Sequence, residues 1–206
     1  MIAGAVVVVL TRDDPVASGD GPLSTVFLGD SITRGVSAET LGPSEQDSWV
    51  TYVVADPRSP WVLGSNAGIF GNTLEQMWGR FETDVLAGDA EAVVIMGGTN
   101  DVLQGLPMDQ SLAALRRMLQ AAQLAGVEVW LVAPPPIDEG YARSLAPLVE
   151  AESALAAELG VPFVEPSEAL ADPAGGWSPG LSFDGVHPNA DGARALADAV
   201  LSDLDE

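Results

Sequence analysis

The sequence of 206 residues predicts an α/β protein, a three-layer α/β/α sandwich around a central, mainly parallel five-stranded sheet. Three observations predict it. Short apolar runs of strand length alternate with longer stretches of helical period, in the order βαβα. Short apolar strands separated by helices imply a parallel sheet covered on both faces, and the right-handed crossover rule places helices on either side. Polar, glycine-bearing clusters follow the first three apolar runs, which is where such a sheet collects its ligand-binding residues.

The elements follow in order. Residues 2–10 (IAGAVVVVL) are apolar but well short of the roughly 18–20 residues a membrane span needs. They have the length of a signal-peptide core without a basic segment before it, so an export signal, a misassigned start and an extra strand all stay open. Residues 11–22, rich in Asp, Gly and Pro, form a linker. The expected organisation is therefore an apolar segment and linker over 1–22 and one folded domain over 23–206. Strands are expected at 23–28, 61–65, 92–96, 127–133 and 162–164. Helices are expected at 49–55, 74–86, 110–124, 141–159 and 190–204, with Gly126 and Gly160 where helix C-caps belong.

Composition narrows the chemistry. Nearly half the residues are apolar, enough for one domain with a proper core. The formal charge is -22, from 30 acidic residues against 8 arginines and no lysine. Such a chain repels polyanions, so no nucleic-acid partner and no docking on anionic headgroups are expected, nor any stable membrane insertion of the mature domain. The same self-repulsion favours a soluble monomer. The acid excess reads as a solubilising surface, with attraction of a cationic substrate as the alternative. Without lysine a P-loop or Schiff base is impossible. Without cysteine, and with a single histidine, there is no thiol nucleophile or Zn-thiolate site, and neither a metal nor another cofactor is expected.

That histidine, His187, lies in Asp184-Gly185-Val186-His187-Pro188-Asn189. A carboxylate three residues before an imidazole can fix its tautomer and direction, leaving the other nitrogen to take a proton from a hydroxyl. Ser31, after Gly29-Asp30 at the end of the first strand, supplies a hydroxyl at the start of a turn or helix, although a serine there also suits an N-cap. The second cluster, residues 66–73, carries Gly71, where the backbone N–H can approach a ligand unobstructed. The third, Gly97-Gly98-Thr99-Asn100-Asp101, carries Asn100, whose side-chain amide can meet a developing oxyanion. Asp30 and Asp101 read as carboxylates that order their loops through backbone N–H bonds. Trp177, in residues 172–182 before Asp184, is a candidate substrate contact, with loop anchoring as the alternative.

These four blocks, in order over residues 29–187, resemble those of the SGNH hydrolases, the GDSL lipase or acylhydrolase family. Gly29-Asp30-Ser31-Ile32-Thr33 resembles the nucleophile block, residues 66–71 the glycine block, Gly98-Thr99-Asn100-Asp101 the asparagine block and residues 184–188 the Asp-x-x-His block. The resemblance implies a flavodoxin-like sandwich with Ser31 as nucleophile, His187 as general base and Asp184 as its orienting partner. It also implies an oxyanion hole made of the N–H groups of Ser31 and Gly71 and the Asn100 amide, with Gly68 as the rival to Gly71. Isoleucine follows the nucleophile where the family name has leucine. The elbow G-x-S-x-G of α/β-hydrolases is absent.

The expected activity is a serine esterase, or acylhydrolase, cleaving small carboxylic esters of short acyl chain through an acyl-enzyme, since no long amphipathic lid is evident. Alternatives are a carbohydrate O-acetylesterase with the same site, acyl transfer to another alcohol, and a catalytically silent small-molecule or glycan-binding module. The apolar N-terminus favours an extracellular or cell-envelope location over the cytoplasm.

Overall fold

The computed structural model describes residues 21–141 and 144–204, so residues 2–10 and most of the expected linker lie outside the described residues. Five parallel strands form the sheet: β1 (Leu23–Gly29), β2 (Trp61–Gly68), β3 (Ala92–Met96), β4 (Glu128–Val132) and β5 (Phe163–Val164), in the spatial order β2-β1-β3-β4-β5. That order is the flavodoxin-like one, and its chain reversal falls between β1 and β3. Successive residues of the central strands serve opposite faces, as the two-residue period demands. Val26, Leu28, Val93 and Ile95 enter one apolar core, while Phe27, Val94 and Met96 enter the other.

The first core is closed by α3 (Leu74–Phe81), α5 (Met108–Ala125) and α6 (Ala146–Leu159). The second is closed by α2 (Trp49–Ala55), α7 (Ser167–Leu170) and α8 (Ala190–Leu204), and packs Trp49 and Trp61 edge-on against Phe27. Two short helices complete the set, α1 (Ser31–Arg34) and α4 (Thr99–Gln104). Among the described residues no helix is long and apolar enough to cross a membrane.

Several boundaries differ from expectation for local reasons. The expected helix over 141–159 begins at Ala146, with Pro147 in its first turn, a position where a missing N–H costs nothing. The stretch before it is used otherwise: Asp138 and Tyr141 reach across to residues 184 and 185. The helix over 74–86 ends its α-geometry at Phe81 and widens into a π-turn over Glu82–Leu86, with the Ala87 N–H bonded to the Glu82 carbonyl at 2.8 Å. Gly126 and Gly160 are left-handed C-caps, as their placement in the sequence suggested.

Register is what assembles the site. Gly29, the last residue of β1, pairs with Gly68 of β2 on one side and Met96 of β3 on the other. Three chain segments therefore leave the sheet side by side: Asp30-Ser31, residues 69–73 and residues 97–101.

Candidate active site

The turn after β1 is tight enough to dictate glycine. A Cβ on Gly29 would lie 2.1 Å from the Thr33 hydroxyl and 2.8 Å from the Met96 carbonyl. Asp30 caps α1, its Oδ1 accepting the Ile32 N–H at 2.9 Å, which is the loop-ordering bond its position suggested. Ser31 follows as the first helical residue, so its own N–H has no intrahelical acceptor. The side chain is buried to 7% exposure, yet its Oγ lies 2.9 Å from His187 Nε2.

His187 is held from several sides. Its Nδ1 is 2.8 Å from Asp184 Oδ2, while Asp184 Oδ1 accepts the backbone N–H groups of Val186 and His187 at 2.9 and 2.7 Å. Partial burial raises the Asp184 carboxyl, but the bonds from His187 and Val186 more than offset it and hold the group below the ordinary carboxylate value. The ring of Phe183 stacks on the imidazole, centroids 5.8 Å apart and planes 16° apart. Ser182 closes the loop, its hydroxyl donating to the His187 carbonyl and accepting from the Gly185 N–H. Below it, Tyr141 Oη donates to the Asp184 carbonyl at 2.9 Å and the Asp138 N–H to the Gly185 carbonyl at 2.9 Å.

The remaining candidates gather around Ser31. Gly71 is exposed with φ +73°, open space where a Cβ would project, and nothing among the described residues accepting its N–H. Gly68 is used structurally. Its N–H donates to Asn66 Oδ1 at 3.0 Å, and a Cβ there would meet the Arg34 nitrogen at 2.4 Å. Asn66 in turn donates to the Thr33 carbonyl, tying β2 to α1. Of the two rivals, only Gly71 offers a free donor.

Asn100 sits in the first turn of α4. Its Nδ2 lies 3.1 Å from Asp30 Oδ2 and 3.0 Å from the Asn72 carbonyl, so the amide bridges the Asp30-Ser31 segment and the loop that holds Gly71. Desolvation pushes the buried Asp30 carboxyl up to about 6, lowered from a higher value by the Ile32 N–H, the His187 charge and the Asn100 amide. Asp101 accepts the Leu74 N–H at 2.9 Å and the Ser111 hydroxyl at 2.6 Å, fixing α3 and α5 against α4.

Trp177 is 5% exposed and its ring packs in the second core, while its backbone N–H donates to Asp138 Oδ1 at 2.9 Å and ties the loop to the segment before α6. Two supporting residues carry no local sequence signal for their role, Arg80 and Asp138. Each bonds to partners far along the chain, and on its own helix or loop reads as a surface charge. A cavity of about 850 Å³ is lined by Pro134, Ile137, Leu145, Val149 and Glu165 among others. Part of the 134–139 stretch forms one wall, and the lining includes none of Ser31, Asn100 or His187. Among the described residues no group of three or more His, Asp or Glu side chains is placed to hold a metal ion.

With this geometry in view, similarity to known proteins is informative. Residues 27–195 match the model of the GDSL-like lipase/acylhydrolase family. An acetylxylan esterase of Geobacillus stearothermophilus is 27% identical over 208 residues, covering 87% of this chain and 92% of that protein. A structure of that organism's acetylxylan esterase Axe2, in a catalytic mutant, superposes with a TM-score of 0.71 at 26% identity, covering 90% of this chain and 96% of the other. A G-D-S-L family structure from Desulfitobacterium hafniense shares the fold, with a TM-score of 0.74 at 23% identity over 87% of this chain and 98% of the other. An uncharacterized lipoprotein of Bacillus subtilis, YqeF, is 37% identical over 83 residues, 40% of this chain and 34% of that one. The chain belongs to the GDSL-like lipase/acylhydrolase family and is a carboxylic ester hydrolase.

Proposed function

We propose that the protein hydrolyses short-acyl esters in two steps through an acyl-enzyme on Ser31. The observation that carries this reading is the unbroken line from Ser31 Oγ to His187 Nε2, 2.9 Å, and from His187 Nδ1 to Asp184 Oδ2, 2.8 Å. With Nδ1 protonated and donating to Asp184, Nε2 is the basic nitrogen. It takes the Ser31 proton as Oγ attacks the acyl carbonyl. The resulting oxyanion meets the N–H groups of Ser31 and Gly71 and the Nδ2 of Asn100, which turns from one of its two present acceptors as substrate enters. The imidazolium, stabilised by Asp184, gives its proton to the leaving alkoxide. Water, deprotonated by the same nitrogen, then attacks the acyl carbonyl, and as the Oγ–acyl bond breaks Nε2 returns that proton to Ser31 Oγ and the acid leaves.

Kinship with an acetylxylan esterase favours acetyl groups on carbohydrate as the physiological esters. A silent binding module has no physical need of a serine, histidine and aspartate in hydrogen-bond line. One chain carries every proposed group, so a monomer suffices. A location outside the cytoplasm is proposed from the apolar residues 2–10 and the partial likeness to a lipoprotein.

A p-nitrophenyl ester series from acetyl to long acyl chains, run beside acetate release from acetylated xylo-oligosaccharides, tests the proposal. The expected result is activity falling steeply beyond short acyl groups, with acetate released from the oligosaccharides. Preference for long acyl chains, or no hydrolysis of any ester by folded protein, would overturn it.

A further inference from the structure

The three proposed oxyanion donors come from three separate segments, and no covalent link fixes their mutual distance. One side chain spans the gap between them. Arg80, on the last turn of α3 and 15% exposed, directs its guanidinium inward rather than to solvent. Its Nη2 donates to the Gly29 carbonyl at 2.9 Å, immediately before Asp30-Ser31. Its Nη1 donates to the Ala67 carbonyl at 2.8 Å, immediately before Gly68, and pairs with Asp84 one turn on. Its Nε donates to Asn72 Oδ1 at 2.8 Å, next to Gly71. The carbonyl of the same Asn72 accepts from Asn100 Nδ2 at 3.0 Å.

A guanidinium is planar and its five N–H bonds diverge at fixed angles, so groups bonded to its different nitrogens are fixed relative to one another. Here those groups are the end of β1, the end of β2 and the side chain that orients the Gly71 loop. Asn100 joins through one further bond. We propose that Arg80 is a positioning residue for the oxyanion hole, holding the Gly71 N–H and, through Asn72, the Asn100 amide at the distance from Ser31 that a tetrahedral oxyanion requires. The inference rests on the proposed roles of Ser31, Gly71 and Asn100. A lysine cannot substitute, because its three N–H donors all sit on one nitrogen at the end of a flexible stem and cannot span acceptors that here engage three separate guanidinium nitrogens.

The prediction is a loss in turnover without a loss in substrate binding. Losing one oxyanion donor outright costs on the order of a hundred- to a thousandfold. Displacing the Gly71 loop while Ser31 and His187 stay aligned should cost less, roughly ten- to a hundredfold, by the same reasoning. The test measures kcat and KM on p-nitrophenyl acetate, together with the second-order rate of labelling by a small alkyl fluorophosphonate, for wild type, Arg80→Lys, Arg80→Ala and Asn72→Ala. Near-UV circular dichroism establishes the folded fraction of each.

Arg80→Lys is expected to lower kcat and the labelling rate together, with KM within about threefold, and Arg80→Ala to regain part of its kcat in tens of millimolar guanidinium. Asn72→Ala removes only the side-chain acceptor in an accessible loop and keeps the carbonyl that Asn100 uses. It should lower kcat severalfold and so carries the test if the Arg80 variants fold poorly. Wild-type kcat in folded Arg80→Lys and in Asn72→Ala, or a rise confined to KM, would overturn the inference. Ser31→Ala measured alongside separates the two claims. If it is inactive while the Arg80 and Asn72 variants match wild type, only the positioning role fails; if Ser31→Ala is fully active, the acyl-enzyme reading fails first.

Discussion

Replacing Asp30 by Asn removes a buried carboxyl that touches two parts of the site at once, and the size of the effect can be worked from its surroundings. Desolvation raises this group from an ordinary value of 3.8 to about 6 in the folded chain. Between about pH 4 and pH 6 the folded protein keeps this proton while the unfolded chain has released it, so stability falls as pH rises through that window. Above pH 6 both states are ionised and the loss is complete. A gap of just over 2 pH units at about 1.4 kcal/mol each amounts to about 3 kcal/mol. In the Asn variant the Ile32 N–H keeps its acceptor, but an amide N–H₂ now faces Asn100 Nδ2, a donor opposite a donor. That costs about 1–2 kcal/mol at every pH. Urea unfolding of both proteins from pH 4 to pH 8 provides the assay, and the acid excess common to both cancels in the difference. The advantage of wild type over the variant should shrink by about 3 kcal/mol between pH 4 and pH 7 and then stay level. A difference that does not change with pH would show that Asp30 is not held protonated by burial, and would refute the reasoning.

Other perturbations follow from the same structure. Glu152 is fully buried on α6, neither of its oxygens has a hydrogen-bond partner among the described residues, and burial with the Asp101 charge pushes its carboxyl well above the ordinary value. Glu152→Gln should therefore raise stability at pH 8 and flatten its decline above about pH 4.5, and an unchanged pH slope in urea unfolding would count against a neutral buried acid. Asn100→Ala should lower kcat on p-nitrophenyl acetate on the order of a hundredfold or more while fluorophosphonate still labels slowly; unchanged turnover would remove Asn100 from the oxyanion hole. Trp177→Phe should cost about 1–2 kcal/mol in stability from lost packing and leave KM for acetylated xylo-oligosaccharide within about twofold. A tenfold rise in KM would make Trp177 a substrate contact rather than a loop anchor.

How much of this was legible in the sequence depends on the range over which each signal acts. The bounds of α2, β3 and α8 match expectation because each is set by its own apolar period and local punctuation. The helix α6 starts later than its hydrophobic pattern suggests because Asp138 and Tyr141 are committed to the Asp184-Gly185 loop, a contact the local pattern does not encode. The short helix α4 reads as a glycine-rich turn, since six residues carry too few turns to show a period. The sequence favours Gly71 but leaves Gly68 as a rival; the two separate when the structure places Gly68 against Arg34 and bonds its N–H to Asn66. Arg80 reads as an ordinary i, i+4 partner of Asp84, and only the convergence of the ends of β1 and β2 with the Asn72 loop reveals its other bonds. The triad candidates were legible because a lone histidine, an aspartate three residues away and a serine after the first strand leave few alternatives.

The central claim is the nucleophile, and trapping the intermediate tests it most directly. Wild-type protein mixed with p-nitrophenyl acetate, quenched in acid during turnover and digested, is mapped by mass spectrometry for acetylated peptides. The account predicts acetyl on Ser31 in wild type and none in Ser31→Ala, which should also be inactive. Acetyl carried by another residue, or full esterase turnover in Ser31→Ala, would contradict it.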